Sequence, residues 1–403
     1  MALLSVEDAL SRVLAGVEPL SAENVLLAVA HGRILAADHA ALRTQPPADV
    51  SAMDGYAVRA SDVAEAPVSL RLVGEVAAGR PFDRPIGAGE AARIFTGGVV
   101  PDGADTVVIQ EITEREQDKV VVRKATRAGK NVRRAGLDFK TGDILLRRQH
   151  RLSARDLALV AGMNHATVSV YRRPKVALFA TGDELVPPGT TPGPGQIVFS
   201  NGFALMALAR AEGADVIDLG IVPDRLDETI TAVQRARALS ADILVTTGGA
   251  SVGEYDLVQR AFAAEGMNLS FWKVALRPGR PLMHGLLPPM HVLGLPGNPV
   301  SAYVCGLLFL VPLLRRLAGR SDILIPTESV VLARDLPAND ERADYMRARL
   351  LTDASGRRAA DPLELQDSSM MAALSAADCL VIRAPYAPAA KAGEACLILK
   401  LDP

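Results

Sequence analysis

Residues 241–259 read ADILVTTGGASVGEYDLVQ. The run Ile243, Leu244, Val245, Thr246 has the composition of a strand buried on both faces. It ends in Thr-Thr-Gly-Gly, passes Ser251 and Gly253, and then enters a stretch with helical spacing that carries Glu254 and Asp256. Paired glycines let a chain turn tightly and bring its backbone close to a ligand, and the free amides of a helix N-terminus point at negative charge. Strand, glycine turn and helix in this order make an anion cradle, although such a turn can also serve the fold alone. A second unit of the same kind, HVLGLPGNPVSAY at 291–303, lies downstream. Two such turns in one sheet open on the same edge, where ligands of parallel α/β sheets bind.

The sequence on either side alternates in the same way. A strand at 175–180 runs into Thr181-Gly182-Asp183-Glu184, a helix at 201–212 stops at Gly213, and a strand at 216–221 ends near Asp224. A helix at 226–238, the 243–246 strand and a helix at 255–264 follow; strands at 271–276 and 283–286 flank a turn, and a strand at 292–295 feeds a last long helix. Repeated βα units of this length imply a doubly wound, mostly parallel α/β domain with right-handed crossovers, spanning 174–326. Its carboxyl edge is expected to gather Asp183 or Glu184, Asp224, Asp256, and the segments 246–251 and 296–299.

The flanks read differently. Ser5 followed by Glu7 and Asp8 starts a helix whose apolar residues Val6, Leu10, Val13 and Leu14 share one face, and a second helical pattern covers 23–35. From 46 to 138 short strands separated by Gly and Pro predict a β-rich insertion, with strands at 68–76, 91–95, 106–112 and 120–123. It carries SAMDGY at 51–56 and Thr96-Gly97-Gly98 at strand ends. Residues 1–45 and 139–173, with helical spacing at 153–161 and a strand at 167–171, form an elongated N-terminal unit. After residue 326 the tail, 327–403, alternates like the short strands of a small β-barrel. The whole is a multidomain α/β plus β protein.

The chain has 403 residues, is 49% hydrophobic, and nearly balances 44 basic against 46 acidic residues, so a charged surface suited to nucleic acid or membrane is excluded and any anion site is local. Cys305, Cys379 and Cys396 form no CxxC pair, fit a reducing cytoplasm and are expected in the core. The N-terminus has acids where an export signal has a basic segment, and the apolar run 302–314 is too short to span a bilayer and contains Pro312. The six histidines show no metal-ligand spacing, so a metal here is held by oxygen.

Asp54, Asp138, Glu184, Asp224 and Asp256 sit in loops beside glycines, free to face a ligand, though each also suits a helix cap or solvated turn. Carboxylates converging on one cleft repel each other unless a cation lies between them, and an oxygen-rich site suits Mg²⁺. Lys273, Arg277 and Arg280 in WKVALRPGRP, with Arg347 and the loop residues Lys130, Arg133 and Arg134, are candidate oxyanion ligands. No Ser-His-Asp order, reactive-cysteine signature or Walker A motif is present, so catalysis by positioning and electrostatics is expected.

Seven motifs in order, PPADVSAMDGYAV, GGVVPDGADTVV, GKNVRRAGLDFKTGD, TGDEL, TTGGASVGEYD, FWKVALRPGRP and GLPGNPVSAY, span almost the whole chain and closely resemble the molybdopterin molybdenumtransferase family, MoeA and the E domain of gephyrin. The resemblance implies a four-part fold and a homodimer whose cleft pairs the α/β domain of one subunit with the insertion of the other. The implied reaction inserts molybdate into adenylylated molybdopterin with Mg²⁺ present and releases AMP. The implied functional acids are Asp54, Asp138, Glu184, Asp224 and Asp256, with Glu184, Asp224 and Asp256 at the metal. Thr96, Thr181, Gly248, Gly249, Ser251, Lys273, Arg277, Arg280, Pro296, Pro299, Arg347 and Ser368 would bind substrate. Contact with a molybdopterin adenylyltransferase and with cofactor-accepting enzymes is also implied. The chain departs from the family pattern at Ala48 and Val50, where Phe and Asn are usual, and at Arg277 and Arg280, where lysines are common. Two other readings are a scaffold that has lost turnover, as gephyrin relatives also anchor receptors, and a molybdopterin adenylyltransferase. The retained acids count against the first, and the insertion and tail barrel against the second.

Overall fold

The computed structural model describes residues 3–248, 257–352 and 356–401. At its centre is a six-stranded sheet in the order Asp215–Val222, Lys175–Thr181, Ile243–Thr247, Met290–Leu295, Met283–Leu287, Asn268–Trp272. The first four strands are parallel and the last two antiparallel, so one edge of an otherwise doubly wound sheet is a meander. The apolar runs read from the sequence are the parallel strands, and Ile243–Thr247 is buried at every position. Helices cover both faces. Asn201–Ala211 and the helical stretch from Pro299 to Leu317 pack with Leu178, Val245 and Leu293 on one side, while Leu226–Ala238 and Leu257–Ala264 pack with Phe179, Leu244 and Val292 on the other.

The β-rich insertion is a second six-stranded sheet, Thr106–Ile109, Gly55–Val58, Glu90–Ile94, Val68–Val76, Lys119–Val122, Thr113–Glu116. The tail closes a five-stranded barrel through Ala343–Thr352, Arg358–Pro362, Thr327–Leu332, Ala395–Lys400 and Cys379–Arg383, which pairs back onto the first. The two-stranded ladders of Ala22–Leu26 with Thr167–Tyr171 and His39–Ala40 with Ile144–Leu146 build the elongated unit. The helix Val6–Leu14, capped by the Ser5 hydroxyl on the Asp8 amide, instead buries Val6, Ala9 and Val13 in the core of the α/β domain.

Four expectations are corrected. Residues 23–35 are not a helix: Ala22–Leu26 is a strand followed by a single 3₁₀ turn, Leu27–Val29. Val25 and Leu27 are the half-buried positions and their neighbours are exposed, a period of two that the antiparallel partner Thr167–Tyr171 selects over the 3.6 pattern. The 271–276 strand is split, because Lys273 has φ +92°; Asn268–Trp272 stays in the sheet, and Leu276–Arg277 pairs with the barrel strand Ala343–Thr352. The apolar run is not too short: Pro299–Leu317 is helical over 19 residues, with a π-helical segment at Gly306–Leu310 ahead of Pro312, and 83% of its apolar window is buried inside the protein, as a core helix. Cys305 and Cys379 are buried, but Cys396 is only half-buried.

Candidate active site

Three glycine-bearing turns leave the carboxyl edge of the central sheet side by side. Lys175–Thr181 ends in Gly182-Asp183-Glu184, Ile243–Thr247 ends at Gly248, and Met290–Leu295 ends in Pro296-Gly297-Asn298 before the helix that starts at Pro299. Gly248 has φ +87°, and a Cβ placed on it would lie 2.3 Å from the carbonyl oxygen of Thr181, so the two turns touch backbone to backbone and only glycine fits. Between them opens a cavity of about 470 Å³ lined by Thr181, Glu184, Gly248, Asn298, Pro299 and Asn201 among others. The Asn201 amide bridges the cleft by donating to the Gly297 carbonyl at 2.6 Å.

Glu184 is the acid in the described lining, and Asp183 and Asp224 lie on the adjoining loops. The Asp224 amide donates to Asp183 Oδ1 at 3.1 Å, which fixes the loop after Asp215–Val222 against the loop carrying Glu184. Asp224 titrates above the ordinary carboxylate value because it is partly buried and because Asp183 and Glu184 repel its negative form. The buried Thr181 hydroxyl offsets part of this, although it closes no hydrogen bond of regular geometry. No cationic side chain is among the causes acting on Asp224, so these hard oxygen donors fit a divalent cation. Among the described residues no three carboxylate, histidine or cysteine side chains are spaced to complete a metal site on their own. Asp256, Gly249 and Ser251 lie outside the described residues.

Other expected residues are placed apart from this cavity. Asp54 lies in the insertion, where Oδ1 accepts from the Thr96 amide and hydroxyl, both at 2.8 Å; the amide bond most, then the hydroxyl, hold its pKa below the usual value. Arg93 lies over the rings of Tyr56 and Phe95 and braces this loop by donating to the Gly55 carbonyl at 3.3 Å. None of the residues lining the cavity comes from the insertion. Asp138 is exposed, its amide donating to the Gln45 carbonyl. Pro296 is buried beneath the last turn.

The cations divide. Lys273, half-buried with its ammonium over the Trp272 ring, and exposed Arg280 make no side-chain ion pair among the described residues. Arg277 donates to Asp344, Asp340 and Asn339 of the barrel, so as the protein stands its guanidinium is spent on joining two domains. Arg347 is 1% exposed and holds the loop after Arg358–Pro362 by donating to Gln366 Oε1 and to the Asp367 carbonyl at 2.7 Å. That loop presents Ser368, whose hydroxyl accepts from Asn298 at 2.7 Å, and Ser369 and Met371 at the cavity wall. Asn201, Ser369 and Met371 were not among the residues expected from the sequence, whereas Asn298 falls in the 296–299 segment expected at this edge. The polar pair Ser200-Asn201 ahead of an apolar helix was the available signal for the first; the barrel residues carried none, because their place depends on domain packing.

A nucleotide-sized cavity at the carboxyl edge of a doubly wound sheet, rimmed by acids and roofed by a barrel, defines a multidomain protein built on a molybdopterin-binding type of α/β domain. Sequence profiles agree: residues 4–163 match "MoeA N-terminal region (domain I and II)", 177–316 match "Probable molybdopterin binding domain", and 329–401 match "MoeA C-terminal region (domain IV)". A protein of Haemophilus influenzae called molybdopterin molybdenumtransferase is 34% identical over 97% of both chains, and one of Nostoc sp. with the same name is 41% identical over 80% of this chain and 76% of its own. The crystal structure of a molybdopterin biosynthesis MoeA protein from Pyrococcus horikoshii superposes with TM-score 0.87 at 30% identity, covering all of both chains. The chain belongs to the molybdopterin molybdenumtransferase (MoeA) family, transferases of molybdenum cofactor biosynthesis.

Proposed function

We propose that this protein inserts molybdate into the dithiolene of adenylylated molybdopterin and releases AMP, acting in the cytoplasm as a homodimer. The observation that supports the reading is the contact of the Thr181 and Gly248 turns in the cavity that Glu184 lines, with Asp183 and Asp224 on the adjoining loops, a setting suited to a backbone phosphate cradle and a cation. Glu184 and Asp224, with Asp256, would hold Mg²⁺, which when bound neutralises charge on the pyrophosphate link. Thr181 and Gly248 orient the phosphates, and Asn298 and Pro299 shape the pterin end of the cavity. Lys273 and Arg280, which pair with no carboxylate among the described residues, are the groups available to the oxyanion. Asp54, with one carboxylate oxygen occupied by Thr96, enters from the second subunit. The adenylyltransferase that supplies the substrate and the enzymes that accept the product are the expected partners.

The test is to incubate the purified protein with adenylylated molybdopterin, with and without molybdate, and to measure free AMP. AMP release that requires molybdate, stops on magnesium depletion and is abolished by Glu184→Ala is the expected result. Full release in excess chelator, or wild-type turnover by Glu184→Ala, would discard the assignment.

A further inference from the structure

A second concavity lies where the elongated unit meets the α/β domain, and it shares no lining residue with the cavity at the carboxyl edge. It encloses about 210 Å³, with Arg33, Arg151, Arg172 and Arg173 from the elongated unit and Arg210 and Glu212 from the α/β domain among its lining. Two of these arginines are already satisfied. Arg33 donates to Glu23 at 2.5 Å and to the Tyr171 carbonyl at 2.8 Å, and Arg172 grips Asp242 through two bonds of 2.8 and 2.7 Å. The only carboxylate in the described lining, Glu212, is neutralised from behind by Arg315 and Arg320. Arg151, Arg173 and Arg210 remain: all three are exposed and make no side-chain hydrogen bond or ion pair among the described residues.

Arg210, in the last turn of Asn201–Ala211, has a reason of its own to be there, since a cation offsets the carbonyls of a helix C-terminus. Arg151 and Arg173 have none. Like charges around a concavity repel and focus a positive potential into it, and guanidinium forks match the oxygens of a tetrahedral anion. Pockets that take a whole cofactor begin at about 300 Å³; this one has room for a phosphate or pyrophosphate group and leaves any attached base outside. We propose that it binds a small phosphate-class oxyanion, free or as the terminal group of a nucleotide, and that the anion ties the elongated unit to the α/β domain through Arg151 and Arg173 on one side and Arg210 on the other.

The test reads the three residues directly, which separates this site from the cavity at the carboxyl edge. The full chain is treated with phenylglyoxal, with and without inorganic pyrophosphate at matched ionic strength, and modification at each arginine is measured by mass spectrometry. At least five-fold protection of Arg151, Arg173 and Arg210 is expected. A parallel calorimetric titration with pyrophosphate should show one binding event weakened at least ten-fold in R151Q/R173Q/R210Q and largely retained in R151K/R173K/R210K, both with the wild-type circular dichroism spectrum. Protection by AMP as well as by pyrophosphate assigns the site to nucleotide termini, and protection by inorganic anions only assigns it to free oxyanions. Equal modification rates with and without pyrophosphate, or a Gln variant that titrates like the wild type, would overturn the proposal.

Discussion

Gly248 shows how much one backbone position can decide. Its φ of +87° favours glycine, and the added contact of 2.3 Å to the Thr181 carbonyl oxygen is with backbone, which cannot swing away. Gly248→Ala is therefore expected to destabilise by about 2–4 kcal/mol, from the left-handed conformation plus overpacking, and to pull apart the two turns of the cradle. Gly266→Ala is the control: φ is +84°, but nothing lies within 4 Å of its Cβ position, so about 1 kcal/mol is expected with no effect on turnover. Urea midpoints and AMP release of the two variants check this; equal losses in both would show that the contact with Thr181 does not matter. The TTGG motif made Gly248 legible in the sequence, because glycine is the residue such a turn needs. Arg277 and Arg347 show the converse. Their charge was legible, but their partners, Asp344 and the Asp367 carbonyl, are 67 and 20 positions away and come close only through tertiary packing, between domains for Arg277 and within the barrel for Arg347.

At the scale of elements, the parallel strands and their helices were readable because each is a buried apolar run closed by turn residues, whereas residues 23–35 deceived because a strand with half-buried Val25 and Leu27 also satisfies a helical count. The meander edge of the central sheet carries a pH dependence the sequence did not reveal. His284, on Met283–Leu287, is 4% exposed, and its Nδ1 has no hydrogen-bond partner among the described residues. Burial first, and then the neighbouring His291 ring, lower its pKa from 6.5 to about 4. His291 is lowered as well, chiefly by burial, with Asp242 acting the other way. Because the folded pKa lies below the unfolded one, the unfolded chain takes up the proton first: the stability is complete above about pH 6.5 and is lost as pH falls toward 4. The His284 share is at most about 3 kcal/mol. Acids held low in the fold, such as Glu90 at about 2 against 4.5 ordinarily, lose most of their contribution below about pH 4.5. Urea midpoints of the wild type should thus fall between pH 6.5 and 4.5, and His284→Leu should flatten that fall; an unchanged slope would refute it.

The whole molecule separates what its motifs would bring together. Among the described residues, every hydrogen bond of Asp54 stays within the insertion, to Thr96 through its carboxylate and to the Gln110 amide through its carbonyl, while the cavity at Glu184 is lined only by the α/β domain and the barrel loop. If both residues serve one reaction, the simplest geometry is a two-fold dimer in which each site takes Asp54 from one subunit and Glu184 from the other. This arrangement can be tested by complementation. Asp54→Ala and Glu184→Ala proteins, each inactive alone, are dissociated, mixed in equal amounts and reassociated. About half of the dimers are then mixed, and each mixed dimer has one site with both residues intact and one lacking both, so AMP release should recover to about a quarter of the wild-type rate. If Asp54 and Glu184 act within one chain, every site in the mixture lacks one or the other, and no activity returns.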